Sequence, residues 1–113
     1  MKLLIIGSRT ISDFDLSRHI PGGVKLIISG GAKGIDSVAE KYADDHGVEK
    51  LIIRPRYERF GRVAPLKRNE AMVDLADVVL AVWDGQSRGT RYTLNYARKS
   101  DKKIIEIIAN KEE

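Results

Sequence analysis

The strongest constraint in this sequence is a strand–helix alternation that runs along its whole length. Five short runs, Lys2–Ile6, Val24–Ser29, Lys50–Arg54, Asp77–Trp83 and Lys103–Ile108, are rich in β-branched residues. Their hydrophobicity is mostly continuous rather than alternating, as in parallel strands covered on both faces, and none reaches helix length. Between them, apolar residues recur at helical spacing. Ser12, with Asp15 three residues on and Ile11 and Leu16 placed as a staple, predicts a short first helix that Pro21-Gly22-Gly23 stops. Ile35, Val38, Ala39, Tyr42 and Ala43 form the stripe of a second, with Gly47 at its C′ position. A third begins near Pro65, with Leu66, Val73 and Ala76 on one face and Asn69 on the same stripe. A fourth begins after Gly89 and turns Thr93, Leu94 and Ala97 inward, and residues 110–113 read as a frayed polar tail. The expectation is an α/β fold, a Rossmann-like three-layer sandwich whose five-stranded parallel sheet has the order 3-2-1-4-5, in a single domain spanning 1–113.

Composition narrows the chemistry. The 113 residues, 42% of them hydrophobic, suffice for one core without staples. Cysteine is absent, which excludes disulfides, Cys-ligated zinc and iron–sulfur clusters. His19 and His46 are far apart in helix-like contexts, so no metal site is expected. The opening apolar run Leu3–Ile6 ends at Gly7, too short for a signal peptide or a membrane span, so the expectation is a cytoplasmic protein with no membrane partner. The net charge of +4 is local in origin. Residues 54–68 hold six basic residues (Arg54, Arg56, Arg59, Arg62, Lys67, Arg68) against Glu58, a net +5 that leaves −1 for the rest. A confined cluster fits a discrete anionic partner, or else a solvated arginine-rich loop.

In a parallel sheet all strand-to-helix turns emerge at one edge, where ligands bind beside the reversal of strand order. Four turns are therefore expected to converge: Gly7-Ser8-Arg9, Gly30-Gly31-Ala32-Lys33-Gly34, the basic segment, and Asp84 to Thr90 with Gly85, Ser87 and Gly89. Glycine-rich turns at helix N-termini expose backbone N–H groups to an anion. One helix dipole contributes about 0.3–1 kcal/mol, whereas micromolar binding needs about 8 kcal/mol. Several turns and charged donors must therefore act together.

Each motif also has a structural reading. Gly30–Gly34 serves equally as a tight strand–helix junction, and Asp36 as a complement to the helix dipole. Asp84 could accept from ribose hydroxyls or form the turn before Gly85. Arg68 and Asn69 stand at the start of a helix on the binding edge, as ligand groups or as a tether between loops. Tyr57 and Phe60 could stack on a base or pin the loop down, and Trp83 reads as core. Gly7-Ser8-Arg9 departs from G-x-G-x-x-G, which disfavours ordinary NAD binding, and no phosphate-binding G-x-x-x-x-G-K-[ST] occurs.

The run Ser29–Asp36 (SGGAKGID) resembles the glycine-rich signature of DprA, a family of DNA-processing proteins that bind single-stranded DNA. The stretch from Arg68 (RNEAMVDLADVVLAVWDGQSRGTRYTLNYARKSDKKI) resembles the second half of the same domain. Arg68–Met72 and Gly85–Thr90 are also similar to the arginine-containing and PGG-x-GT motifs of LOG-type nucleotide phosphoribohydrolases. Both groups belong to the SLOG superfamily, and the small architecture opening with GSR is most similar to its YspA-like branch. The resemblance implies a nucleotide-derived ligand held by Gly7, Ser8, Arg9, Gly30, Gly31, Lys33, Arg68, Asn69, Gly89 and Thr90. The phosphoribohydrolases carry a glutamate three residues after their Thr; here that position is Thr93, which disfavours that activity.

Three functions fit these residues. The first is binding or sensing of a small-molecule nucleotide. The second is hydrolysis of its N-glycosidic or phosphate bond, with Asp36 and Asp84 as candidate catalytic carboxylates. The third is binding of single-stranded nucleic acid along the basic segment, strengthened by any homo-oligomer.

Overall fold

A computed structural model describes residues 1–109; the polar tail read from the sequence lies outside them. The strands are β1 (Lys2–Gly7), β2 (Leu26–Ser29), β3 (Glu49–Ile52), β4 (Val78–Trp83) and β5 (Lys103–Ile108). They form one parallel sheet in the order β3-β2-β1-β4-β5. The helices are α1 (Ile35–Asp45), the single turn α2 (Tyr57–Phe60), α3 (Ala64–Leu75) and α4 (Arg88–Lys99). This is a Rossmann-like three-layer α/β fold.

Period-two alternation sends the apolar strand residues to both faces. Leu3, Ile5, Leu80 and Val82 pack with Ile35, Ala39 and Ala43 of α1. Leu4, Ile6, Val79 and Ala81 pack with Met72 and Val73 of α3 and with Leu94 and Ala97 of α4. Every residue of β4 is buried, whereas β3 and β5, at the edges, are largely exposed or half-buried. Trp83 is 4% exposed, and its indole N–H donates to Glu106 at 3.0 Å.

Two local expectations are corrected. No helix starts at Ser12: only a 3₁₀ turn, Leu16–Arg18, forms, and Asp15 caps it by accepting from Ser17 N at 3.0 Å. Ile11 and Leu16 are both buried against the α1 layer, so tertiary packing rather than a staple fixes this segment. The basic stretch is not an open loop beyond Arg56, since α2 is followed by a 3₁₀ turn, Gly61–Val63, that runs into α3. Smaller differences are at boundaries. β2 and β3 are shorter than their apolar runs, α3 starts at Ala64, and α4 starts at Arg88 because Ser87 Oγ accepts from Thr90 N at 3.4 Å. Among the described residues, no helix is long and apolar enough to cross a membrane.

Candidate functional site

Strand order reverses between β1 and β4, and Gly7 pairs with Val82, so the turns after these strands leave the sheet side by side. A side chain at Gly7 would overlap the Val82 carbonyl and Ile35, so this approach requires glycine. Ser8, 2% exposed, fastens the junction. Its N–H donates to Val82 O at 3.2 Å, its hydroxyl accepts from Asp84 N at 3.0 Å, and its carbonyl accepts from Ile35 N at 3.2 Å. The last bond draws the N-terminus of α1 beneath the first turn. Gly34, with φ of +78°, permits that contact, because a Cβ there would overlap Ser8 O and the Arg9 backbone.

A cavity of ≈ 390 Å³ opens at this junction, bounded by the first turn, α1, α3 and the start of α4. On the β1–β4 side stand Arg9, Thr10, Ser87, Gly89 and Thr90. The N–H groups of Arg9, Thr10 and Gly89 and the Arg9 guanidinium have no hydrogen-bond partner among the described residues. Asp84 serves its own turn. Its Oδ1 accepts from Gln86 N at 2.8 Å and Ser87 N at 3.0 Å, which shapes the entry into α4. The bond from Gln86, helped by that from Ser87, holds its carboxyl below the usual aspartate range, against an opposing effect of burial.

On the α1–α3 side stand Asp36, Arg68 and Asn69. Arg68 Nη1 donates to Gly30 O at 2.5 Å and to Ile53 O at 3.3 Å, and its Nε donates to Asn69 Oδ1 at 2.7 Å. The guanidinium therefore ties α3 to the turns after β2 and β3, the tethering role of the two sequence readings, while Nη2 has no partner among the described residues. Asp36 Oδ2 accepts from Ala32 N at 3.0 Å, and no bond to Oδ1 forms among the described residues. Burial raises the Asp36 pKa; the Ala32 N–H and the charges of Arg68 and Arg9 oppose that rise. Arg68 and Asp36 make no ion pair within 4 Å. Two guanidinium groups and two carboxylates thus line the cavity. Attraction for an anion depends on where these charges sit, since Asp84 is already engaged and Arg9 is free.

Of the residues singled out from the sequence, Gly7, Ser8, Arg9, Asp36, Arg68, Asn69, Asp84, Ser87, Gly89 and Thr90 line the cavity. Gly30, Gly31, Lys33, Gly34, Gly85, Tyr57 and Phe60 do not. The glycines have other roles. Gly30 lies against Arg68 and Asp36, and Gly31, at φ +75°, lies against Arg54, whose Nη1 reaches its carbonyl at 3.4 Å. This turn is therefore an acceptor for the protein's own arginines. Lys33 is exposed beside the cavity-lining Ala32. Gly85 turns at φ +81°. Tyr57 is 59% exposed, and Phe60 carries the Arg59 guanidinium over its ring at 5.1 Å.

Sequence reasoning missed Thr10, Ala32 and Pro65 as lining residues, and also the apolar floor of Ile6, Leu66 and Met72. Ile6 and Met72 carry only core signals, whereas Thr10, next to the predicted Gly7-Ser8-Arg9 turn, was within reach. Thr93 also lines the cavity, with its hydroxyl donating to Gly89 O at 2.8 Å. Among the described residues there is no group of three or more His, Asp or Glu side chains placed to hold a metal ion.

Over 118 residues the chain is 32% identical to the Gene 61 protein of Mycobacterium phage D29, an alignment that covers 92% of this chain and 94% of that protein. Over 46 residues it is 46% identical to the Uncharacterized SPbeta prophage-derived protein YoqJ of Bacillus subtilis (strain 168), covering 38% of this chain and 27% of that protein. No family model and no solved structure matches the chain.

Proposed function

The chain belongs to the family of the Gene 61 protein of Mycobacterium phage D29, and we propose that its cavity binds one nucleotide or nucleotide-derived ligand, phosphate first. The observation that carries this reading is the junction of two turns where the strand order reverses. There the N–H groups of Arg9, Thr10 and Gly89 and the Arg9 guanidinium, which have no partner among the described residues, border one cavity. Backbone donors at a helix N-terminus favour phosphate, and charged hydrogen bonds add roughly 1.5–3 kcal/mol each. Two or three of them with the α4 dipole approach micromolar affinity.

The volume of ≈ 390 Å³ is at the lower end for ligand pockets and suits one nucleoside phosphate rather than a dinucleotide. The mixed lining supports the same class, with Leu66 and Met72 offering an apolar wall beside the polar rim. The resemblance of Ser29–Asp36 and Arg68–Thr90 to SLOG nucleotide-binding proteins points the same way. Binding is favoured over bond cleavage because the position of the phosphoribohydrolase glutamate is Thr93, whose hydroxyl is spent on Gly89 O, and because Asp84 is held by its own turn.

A thermal-shift panel of nucleoside mono-, di-, tri- and cyclic phosphates tests the proposal. A ligand at one hundred times its Kd adds about 2.7 kcal/mol to stability. At least one nucleotide is expected to raise Tm by several degrees and to lose that effect in Arg9→Gln. No response to any of them at millimolar concentration overturns the reading.

A further inference from the structure

Asp36 has no partner among the described residues for one of its two carboxylate oxygens, although it lines the cavity and is half-buried. Among the described residues no buried side-chain polar atom lacks a partner, so this oxygen is open to solvent in the free protein, and a ligand that covers it must supply a donor or leave it unmatched at a cost in free energy. An ammonium group can donate to Asp36 but has no lone pair with which to accept from Arg68. A neutral hydroxyl can do both, donating to Asp36 and accepting from Arg68 Nη2, which has no partner among the described residues. Asp84, the other carboxylate on the cavity, is less suited because its Oδ1 already takes two backbone N–H groups.

Resting on the nucleotide reading above, we propose that Asp36, with Arg68 beside it, holds the ribose 2′-hydroxyl, and that the site selects ribonucleotides over deoxyribonucleotides. The phosphate then occupies the β1–β4 side with Arg9, Thr10 and Gly89, and the sugar lies against the α1–α3 side. Burial of Asp36 in the cavity wall raises its pKa, and the Ala32 N–H and the charge of Arg68 oppose that rise. The same geometry disfavours single-stranded DNA as the occupant, since its sugar offers nothing to Asp36 at the 2′ position.

Calorimetric titration with adenosine, guanosine, cytidine and uridine 5′-monophosphates and their 2′-deoxy forms tests this. For the base that binds best, the ribonucleotide is expected to bind about ten-fold or more tightly than its 2′-deoxy form, the weight of one charged hydrogen bond. Asp36→Asn, whose neutral amide oxygen is a weaker acceptor, is expected to narrow that preference. Equal affinities for the two sugars in the wild-type protein overturn the inference and leave the nucleotide reading standing. A preference undiminished in Asp36→Asn also overturns it. Failure of every ribo- and deoxyribonucleotide to bind overturns both. The wild-type comparison decides without any variant, and circular dichroism confirms that Asp36→Asn is folded.

Discussion

Replacing Arg68 with methionine keeps the aliphatic volume of the side chain and removes the guanidinium that joins three segments. The lost bonds are those to Gly30 O at 2.5 Å, Ile53 O at 3.3 Å and Asn69 Oδ1 at 2.7 Å. Hydrogen bonds from a charged donor are worth roughly 1.5–3 kcal/mol each, and a buried carbonyl left bare costs roughly 1–3 kcal/mol. Gly30 is buried, so its carbonyl bears most of the penalty. The 3.3 Å bond counts for little, the bond to Asn69 is between chain neighbours, and burial already weighs against the Arg68 cation. Discounted for the partial exposure of Arg68, Arg68→Met should lose about 2 kcal/mol. In a domain of this size that lowers Tm by about 8 °C. Urea and thermal unfolding measure it directly, and Arg68→Lys, which can reach one carbonyl, should fall between. A loss below about 0.5 kcal/mol, the range of ordinary surface substitutions, would refute the tether and return Arg68 wholly to the ligand.

Four other substitutions have outcomes set by the geometry. Gly34→Ala should destabilise by about 2 kcal/mol or more in chemical unfolding, because its φ of +78° disfavours a side chain and its Cβ would overlap Ser8 and Arg9. Gly89→Ala should stabilise by about 0.5–1 kcal/mol, since its Cβ meets nothing and it lies inside α4. Asp36→Asn should be at least as stable as the wild type at pH 7 without ligand, because burial raises the Asp36 pKa above 3.8 and ionisation therefore costs folding free energy. That advantage should shrink as pH falls through the raised value towards 3.8, and a variant less stable than wild type at pH 7 would contradict it. Arg9→Gln should leave Tm unchanged in calorimetry, as Arg9 has no side-chain hydrogen-bond or ion-pair partner among the described residues.

The sheet was legible because its signal is long-range and repeated. Leu3–Ile6 and Val78–Trp83 are apolar on both faces, a pattern that only central strands need. The first crossover was not legible in the same way. Ser12, Asp15 and Leu16 carry helix-start chemistry, yet Ile11 and Leu16 are buried against the α1 layer, and tertiary burial outweighs a local cap. The candidate site was half-legible for a related reason. Sequence position places a turn on the edge of the sheet, but it does not say whether a glycine faces the cavity or the protein. Gly34 answers to Ser8, and Gly31 to Arg54. Arg68 drew attention as a charge at the start of a helix on the binding edge, and its partners turn out to include main-chain carbonyls.

The most direct test of the central claim is a ¹⁵N–¹H correlation spectrum of the folded chain titrated with the nucleotide that gives the largest thermal shift. The predicted result is that the amides of Arg9, Thr10 and Gly89 shift together and saturate with one midpoint, followed by smaller shifts near Asp36. Shifts confined to residues 54–63, with those three amides unmoved, would contradict it.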